Sequence, residues 1–126
     1  MNGLTVGAAV EMSRCVRTED IAAYLLLGGA PAGEACPEPL IAALFSYLLG
    51  VKLPGPGTNY LKQSLEFLAL VPIGVPLTAR VEITRLRPGK HLVDLDTTCR
   101  LADGTVVARG RALVYAADVA CPSRIS

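Results

Sequence analysis

The sequence predicts an α+β domain in which a curved antiparallel sheet wraps around a long central helix. Two observations support this prediction. The segment LIAALFSYLL, Leu40 to Leu49, is apolar nearly all round, and a helix of that kind is normally enclosed by other structure. From Thr58 onward the chain alternates as strands do and is interrupted by turn sequences. A buried helix followed by antiparallel strands favours a layered α+β arrangement.

The length and charge of the chain limit its class. Its 126 residues suit one domain spanning positions 1–126. The 12 basic residues are spread among 11 acidic ones, which argues against nucleic acid and anionic membranes as partners. No apolar run approaches the roughly 20 residues that cross a bilayer. The apolar fraction of 52% is therefore expected to be buried within the fold or against another subunit.

Cysteine and histidine usage predicts a reduced protein without a metal or other cofactor. The 4 cysteines are far apart, and the 1 histidine cannot complete a tetrahedral zinc site of the usual spacing. The first residues, MNGLTVGAAVEMSR, lack the basic start and continuous apolar stretch of a signal peptide. A cytoplasmic location is therefore expected.

The N-terminal part predicts a strand and a short helix. Residues Leu4 to Val16 are interpreted as the strand. Thr18 is a suitable N-cap, and apolar residues then recur at helical spacing, at Ile21, Tyr24 and Leu25. A loop from Gly28 to Pro39 follows, since it is rich in glycine and proline.

The rest of the chain predicts the central helix and four strands. The helix is expected over Glu38 to Leu49, with Pro39 in its first turn and Gly50 just after its end. The strands are expected over Thr58–Leu70, Leu77–Leu86, His91–Leu101 and Val106–Ala116, with turns at RPGK and ADGT. In the second strand, alternation puts these residues on one face: Leu77, Ala79, Val81, Ile83 and Arg85.

Three motifs resemble the MaoC-like (R)-specific enoyl-CoA hydratases. They are L-F-S-x-L-L-G at the end of the central helix, L-P-G-x-G-x-x-Y-L-x-Q-S-L-x-F into the next strand, and G-x-x-L-T-A-R-V-E-I-T after it. The N-terminal LTVGAAVEMSR and TEDIAAYLLLGG look like the family's opening strand and first helix. The resemblance implies the hotdog fold, in which protomers usually pair side by side.

The family's catalytic segment has no counterpart in this sequence. Active members carry D-x-x-x-x-H just after the first helix, and this pair activates the water in hydration. Here LLLGG runs through APAGEACPEP into the central helix, which indicates a deletion of roughly a dozen residues relative to the family. By this alignment Glu38 replaces the glycine whose N–H polarises the thioester carbonyl, and the neighbouring Pro39 has no N–H.

Three residues match positions that line the acyl tunnel of the family. Ser46 matches a tunnel serine, although it could equally be a small packing residue that bonds a carbonyl one turn back. Tyr60 and Gln63 match positions near the acyl channel or its mouth, although ordinary packing and edge hydrogen bonding would also explain them. The resemblance implies that all three bind substrate.

Other reactive side chains have simpler explanations. Glu38, at the start of the buried helix, is a candidate active carboxylate of a thioesterase-like enzyme, but an acid that interacts with the helix dipole is favoured. Cys36 lacks a histidine partner that would activate it. His91 follows a turn and is interpreted as a surface residue. Asp94 and Asp96 alternate on one strand face, where solvated acids are favoured over a metal site.

Three functional hypotheses remain open. The first is a subunit of an (R)-3-hydroxyacyl-thioester dehydratase or enoyl-thioester hydratase that shapes the tunnel while a catalytic MaoC-like partner supplies Asp and His. Its substrate would be an acyl thioester of coenzyme A or acyl carrier protein, and the chain would form a homo- or heterodimer. The second is a thioesterase or cyclase that uses Glu38. The third is a non-enzymatic acyl-binding protein.

Overall fold

The computed structural model describes residues 3–30 and 35–117. Its elements, in chain order, are β1 Ala9–Cys15, α1 Thr18–Leu26, α2 Glu38–Tyr47, β2 Asn59–Phe67, β3 Pro76–Arg87, β4 Leu92–Leu101 and β5 Val106–Tyr115. The strands form one 5-stranded sheet in the order β1-β3-β4-β5-β2. Every neighbouring pair is antiparallel. The predicted α+β arrangement of a central helix on an antiparallel sheet is confirmed.

The inner face of the sheet carries a large part of the core. Leu77, Ala79, Val81 and Ile83 of β3 are each 0% exposed, as alternation predicts. Arg85 was expected on the same face, which is wrong, because it is exposed. The pairing with β4 shifts between Ile83 and Arg85, and the extra residue of a bulge reverses the direction in which the following side chains point.

Helix α2 is enclosed on one side only. Ile41, Leu44 and Phe45 are buried at i, i+3 and i+4, whereas Ser46 and Tyr47 are exposed. The prediction of a helix enclosed on every side is therefore wrong for the described residues. The predicted end at Leu49 also differs, since a π-helical turn continues α2 through Leu48–Lys52.

Helix α1 packs loosely by comparison, because none of its residues is buried. Thr18, the predicted N-cap, is already the first helical residue, and Arg17 precedes the helix. The Arg17 backbone N–H donates to Asp20 Oδ2 at 2.8 Å. The acidic side chain in the first turn thus accepts a hydrogen bond from the backbone N–H of the residue that precedes the helix.

Two segment boundaries also differ from the prediction. The first strand begins at Ala9 rather than Leu4. His91 does not open a strand, because it adopts the left-handed conformation with φ 57° at the end of a 3-10 turn, and β4 begins at Leu92. Such backbone lets the chain reverse after a tight turn, and histidine tolerates it better than most residues. Residues 31–34 of the predicted loop, and the C-terminal CPSRIS, lie outside the described residues.

Within the two described ranges, no helix combines the length and the apolar character required to cross a bilayer.

Candidate functional site

Tyr60 and Gln63 share the inner face of β2 because the strand is irregular between them. In a regular strand, residues three apart point to opposite faces. The pairing of β2 with β5 shifts between Tyr60 and Lys62. As a result, Tyr60 lies opposite Val114 and Gln63 opposite Ala112, and both of these partners are buried on the inner face. Directly opposed residues of an antiparallel pair lie on the same side of the sheet.

The hydroxyl of Tyr60 is buried without a hydrogen-bond partner among the described residues. Burial raises the pKa of this phenol to about 12, so the group stays protonated and able to donate. The Thr58 hydroxyl, just before the start of this strand, is also buried and unpaired within the described chain. Buried polar atoms without partners are costly, so these hydroxyls are suited to contact a ligand, a water molecule or a second chain.

The predicted substrate residues lie toward an uncovered side of the molecule. Strand β2 forms one edge of the sheet, and Gln63 is exposed although it lies on the inner face. Ser46 is exposed on α2, which packs against β2. The described chain by itself therefore does not enclose a tunnel around these residues.

Glu38 occupies the position predicted for it, at the start of α2. Pro37 precedes the helix and Glu38 lies in its first turn, where the N-terminal dipole favours a carboxylate. The side chain is exposed. Water therefore solvates this carboxylate, and a general base of high reactivity would need a less hydrated site.

Cys36 and His91 are poorly placed for nucleophilic chemistry. Cys36 is 4% exposed, and burial, followed by the charge of Asp20, raises the pKa of its thiol. A protonated buried thiol is a weak nucleophile. His91 is exposed in its turn, and its ring lies edge-on to Tyr115 with the centroids 6.0 Å apart.

The outer-face acids take part in ion pairs with arginine. Asp94 accepts bonds of 2.7 to 3.1 Å from the Arg87 guanidinium. Asp96 lies 4.0 Å from Arg111, and both side chains are largely exposed. In residues 3–30 and 35–117, no group of three side chains is arranged to hold a metal ion.

A groove between β1, α1 and α2 was missed by sequence reasoning. It encloses about 490 Å³. Its walls are formed by Met12, Arg14, Val16, Asp20, Ala23, Tyr24, Leu27, Leu40, Ala43, Leu44 and Tyr47. None of the four predicted site residues is among them. The lining residues recur at every second position along the first strand and at every third or fourth position along each helix, and this spacing can be read from the sequence. How the three elements pack against one another cannot be read from it.

Comparison with known proteins finds relatives that are named as a hydratase and a dehydratase of CoA thioesters. No family model matches the chain. The (R)-specific enoyl-CoA hydratase of Rhodospirillum rubrum is 49% identical over 75 residues, which are 60% of this chain and 51% of that protein. The 3-hydroxybutyryl-CoA dehydratase of Methylorubrum extorquens is 44% identical over 73 residues, 58% of this chain and 46% of that protein. The matched region spans about half the length of these curated relatives.

A solved structure extends the similarity over nearly the whole chain. The (R)-hydratase of Aeromonas caviae involved in PHA biosynthesis superposes with a TM-score of 0.84 and 33% identity. The superposition covers 90% of this chain and 98% of that one. The likeness therefore includes the N-terminal strand and helix as well as the motif-bearing segment.

Proposed function

Because the chain belongs to the MaoC-like (R)-specific enoyl-CoA hydratase family and has its hotdog fold, we propose that it is the tunnel-forming, non-catalytic subunit of an (R)-3-hydroxyacyl-thioester dehydratase or enoyl-thioester hydratase. The substrate would be an acyl thioester of coenzyme A or of acyl carrier protein. A catalytic MaoC-like subunit would be the partner and would supply the Asp and His.

The position of the one histidine supports this proposal most directly. The sequence contains 1 histidine, His91, and the residue five positions before it is Leu86. The D-x-x-x-x-H pattern of the family therefore occurs nowhere in this sequence. His91 also lies in an exposed turn between β3 and β4, on a different element from α1 and α2. Hydration of a thioester needs a positioned acid and base, which a second subunit would contribute.

The open edge of the sheet is a suitable place for that subunit. Among the described residues, strand β2 lies at an edge of the sheet with no strand beyond it, and such an edge readily adds another strand. Leu61 at the bulge is 53% exposed and Leu68 just beyond the strand is 42% exposed. A partner seated there would cover these side chains. In the assembled dimer, the Tyr60 hydroxyl would donate to the substrate or to the partner.

Reconstitution tests the proposal. The chain is assayed for hydration of crotonyl-CoA alone and after coexpression with a catalytic MaoC-like subunit from the same genome. We expect no hydration by the chain alone and hydration by the complex. The partner carrying an Asp→Asn change in its dyad should be inactive in the complex. Hydration by the homogeneous chain at rates typical of the family would overturn the proposal.

Paired tyrosine variants test the tunnel within the complex. Tyr60→Phe removes only the hydroxyl, and its loss should lower kcat/KM by up to about tenfold, which is the value of one hydrogen bond. Tyr115→Phe is the matched control, since this half-buried tyrosine lies on β5 beside His91, and it should leave kcat/KM unchanged. Equal effects of the two changes would argue against a substrate role for Tyr60.

The same purified chain and complex distinguish the two alternative functions, a thioesterase and a non-enzymatic acyl-binding protein. Thiol release from acyl-CoA by the chain alone, lost in Glu38→Gln, would indicate a thioesterase. Binding of acyl-CoA without hydration or thiol release, with or without the partner, would indicate an acyl-binding protein. The exposure of Glu38 is less favourable to the first of these outcomes.

A further inference from the structure

The groove between β1, α1 and α2 has the dimensions of a small-molecule site. Ligand pockets commonly enclose about 300 to 1,000 Å³, and this groove encloses about 490 Å³. An apolar cavity of roughly 150 Å³ already holds a benzene molecule. The groove therefore has room for a longer aliphatic body.

Apolar side chains form the wall of the groove on all three elements. Strand β1 and the residue that follows it contribute Met12, Arg14 and Val16, which are two residues apart and therefore lie on one face. Helix α1 contributes Ala23, the residue after the helix contributes Leu27, and α2 contributes the apolar part of the opposite wall. A wall of this composition offers dispersion contacts to a hydrocarbon chain and few hydrogen bonds to a polar one.

Charged groups of the groove are concentrated at one place. The Arg14 Nη2 atom donates to Asp20 Oδ1 at 3.1 Å, and Asp20 also accepts the Arg17 backbone N–H. This is the one hydrogen bond of the Arg14 side chain within the described ranges, so the remaining N–H groups of the guanidinium stay available. The Arg14 side chain is 55% exposed. A guanidinium with spare donors is suited to a carboxylate.

One wall of the groove is held in place by a close contact. The ring of Tyr24 lies directly over Gly29, where an added Cβ would come within 2.3 Å of the ring. Glycine at this position therefore lets the ring lie flat against the chain after α1. The same ring lines the groove, so its position determines how wide the groove is.

We propose that this groove binds an alkyl carboxylate, with the aliphatic chain between α1 and α2 and the carboxylate at Arg14. Such a ligand matches both parts of the groove. Its aliphatic chain contacts the apolar wall, and its carboxylate accepts hydrogen bonds from the guanidinium of Arg14. This site is separate from the proposed tunnel, because Glu38, Ser46, Tyr60 and Gln63 do not line it. The inference goes beyond the proposed function and does not depend on it.

A titration of the chain with decanoate, followed by ¹H–¹⁵N NMR, tests the proposal. The largest shifts are expected at residues of β1, α1 and the Ala43 side of α2. Ala23→Phe fills the groove and should weaken binding at least about tenfold. Ala22→Phe is the matched control, because this exposed neighbour on α1 does not line the groove, and its affinity should stay within about twofold.

A second variant tests the position of the head group. Arg14→Gln should weaken decanoate at least about tenfold, which is the lower end of the range for a hydrogen bond to a charged group. Binding of decan-1-ol, which lacks the charge, should change little in the same variant.

Three results would overturn the proposal. The first is equal binding by the Ala22→Phe and Ala23→Phe variants. The second is a set of shifts confined to β2 and the Ser46 side of α2, which would locate the ligand in the proposed tunnel. The third is absence of decanoate binding together with a change of oligomeric mass in Ala23→Phe, which would identify the groove as a contact between copies. None of these results bears on hydration by the reconstituted complex, so the two proposals fail independently.

Discussion

The two described α-helices are stabilised in different ways. Helix α2 buries Ile41, Leu44 and Phe45 against the sheet, each at 5% exposure or less. Helix α1 buries none of its residues, and Leu26 and its neighbour Leu27 are both 89% exposed. Both segments are rich in apolar residues, so composition does not explain the difference.

The difference lies in what each helix contacts. Isolated helices of this length are marginal in water, and tertiary packing supplies most of their stability. Helix α2 has that packing. Helix α1 depends more on local interactions at its N-terminus, where Asp20 accepts the Arg17 N–H and pairs with Arg14.

Truncating one aromatic residue in each helix should give the largest difference in the free energy of unfolding between equivalent changes in the two helices. Phe45 is 0% exposed, and Phe45→Ala should lower the free energy of unfolding by about 3–5 kcal/mol. Tyr24→Ala in α1 removes a half-buried ring and should cost less than half as much. Urea unfolding of both variants measures the values. Equal losses would show that α1 is packed as tightly as α2.

The next largest effect on stability is expected at a close backbone contact between β5 and β2. A Cβ added to Gly110 of β5 would lie 1.7 Å from the Ser64 carbonyl oxygen of β2. Gly110→Ala should therefore force the two strands apart and cost about 1–3 kcal/mol. Gly89→Ala is the control, since nothing lies within 4 Å of its added Cβ, and should change stability by less than about 0.5 kcal/mol.

Sequence periodicity predicted the elements that local pattern determines. The alternation of Leu77, Ala79, Val81 and Ile83 identified the buried face of β3 correctly. It failed at Arg85, because a bulge depends on the register with β4, which lies on a different part of the chain. The bulge in β2 had the same origin and is what brings Tyr60 and Gln63 to one face.

The candidate site was predictable only in part for a related reason. The resemblance selected Ser46, Tyr60 and Gln63 from motif positions, and their role in substrate binding remains a prediction. The groove was not predictable, because its wall comes from three elements whose mutual packing is a tertiary property. Helical spacing defines a face of α1, but it does not tell which element, if any, covers that face.

Acid titration of Asp20 should show how far α1 depends on its N-terminal interactions. The Arg17 backbone N–H, followed by the charges of Arg14 and Arg17, lowers the pKa of this carboxyl below 3.8. A carboxyl with a lowered folded-state pKa stabilises the fold above its unfolded pKa, and this contribution is lost as pH falls through the folded value. Asp20→Asn should therefore lower the Tm at pH 7, by less than the core variants do.

The pH dependence of the Tm difference between Asp20→Asn and the unmodified chain distinguishes a lost charge interaction from disturbed packing. Once the pH lies below the folded-state pKa, the carboxyl is protonated in both folded and unfolded chains. The Tm of the unmodified chain and of Asp20→Asn should converge there. A difference that persisted unchanged into acid would mean that the asparagine disturbs packing rather than removing a charge interaction.

The smallest effect is expected at the most exposed residue of α1. Leu26 is 89% exposed and does not line the groove, so Leu26→Lys removes no burial in the chain and should change the free energy of unfolding by less than about 0.5 kcal/mol. Leu44→Lys on α2, at 5% exposure, should by contrast prevent stable folding, since it would bury an unpaired charge. A loss above about 1 kcal/mol for Leu26→Lys in urea would mean that α1 is covered in solution. If that loss grew with protein concentration, the cover would be a second copy of the chain, because only association depends on concentration.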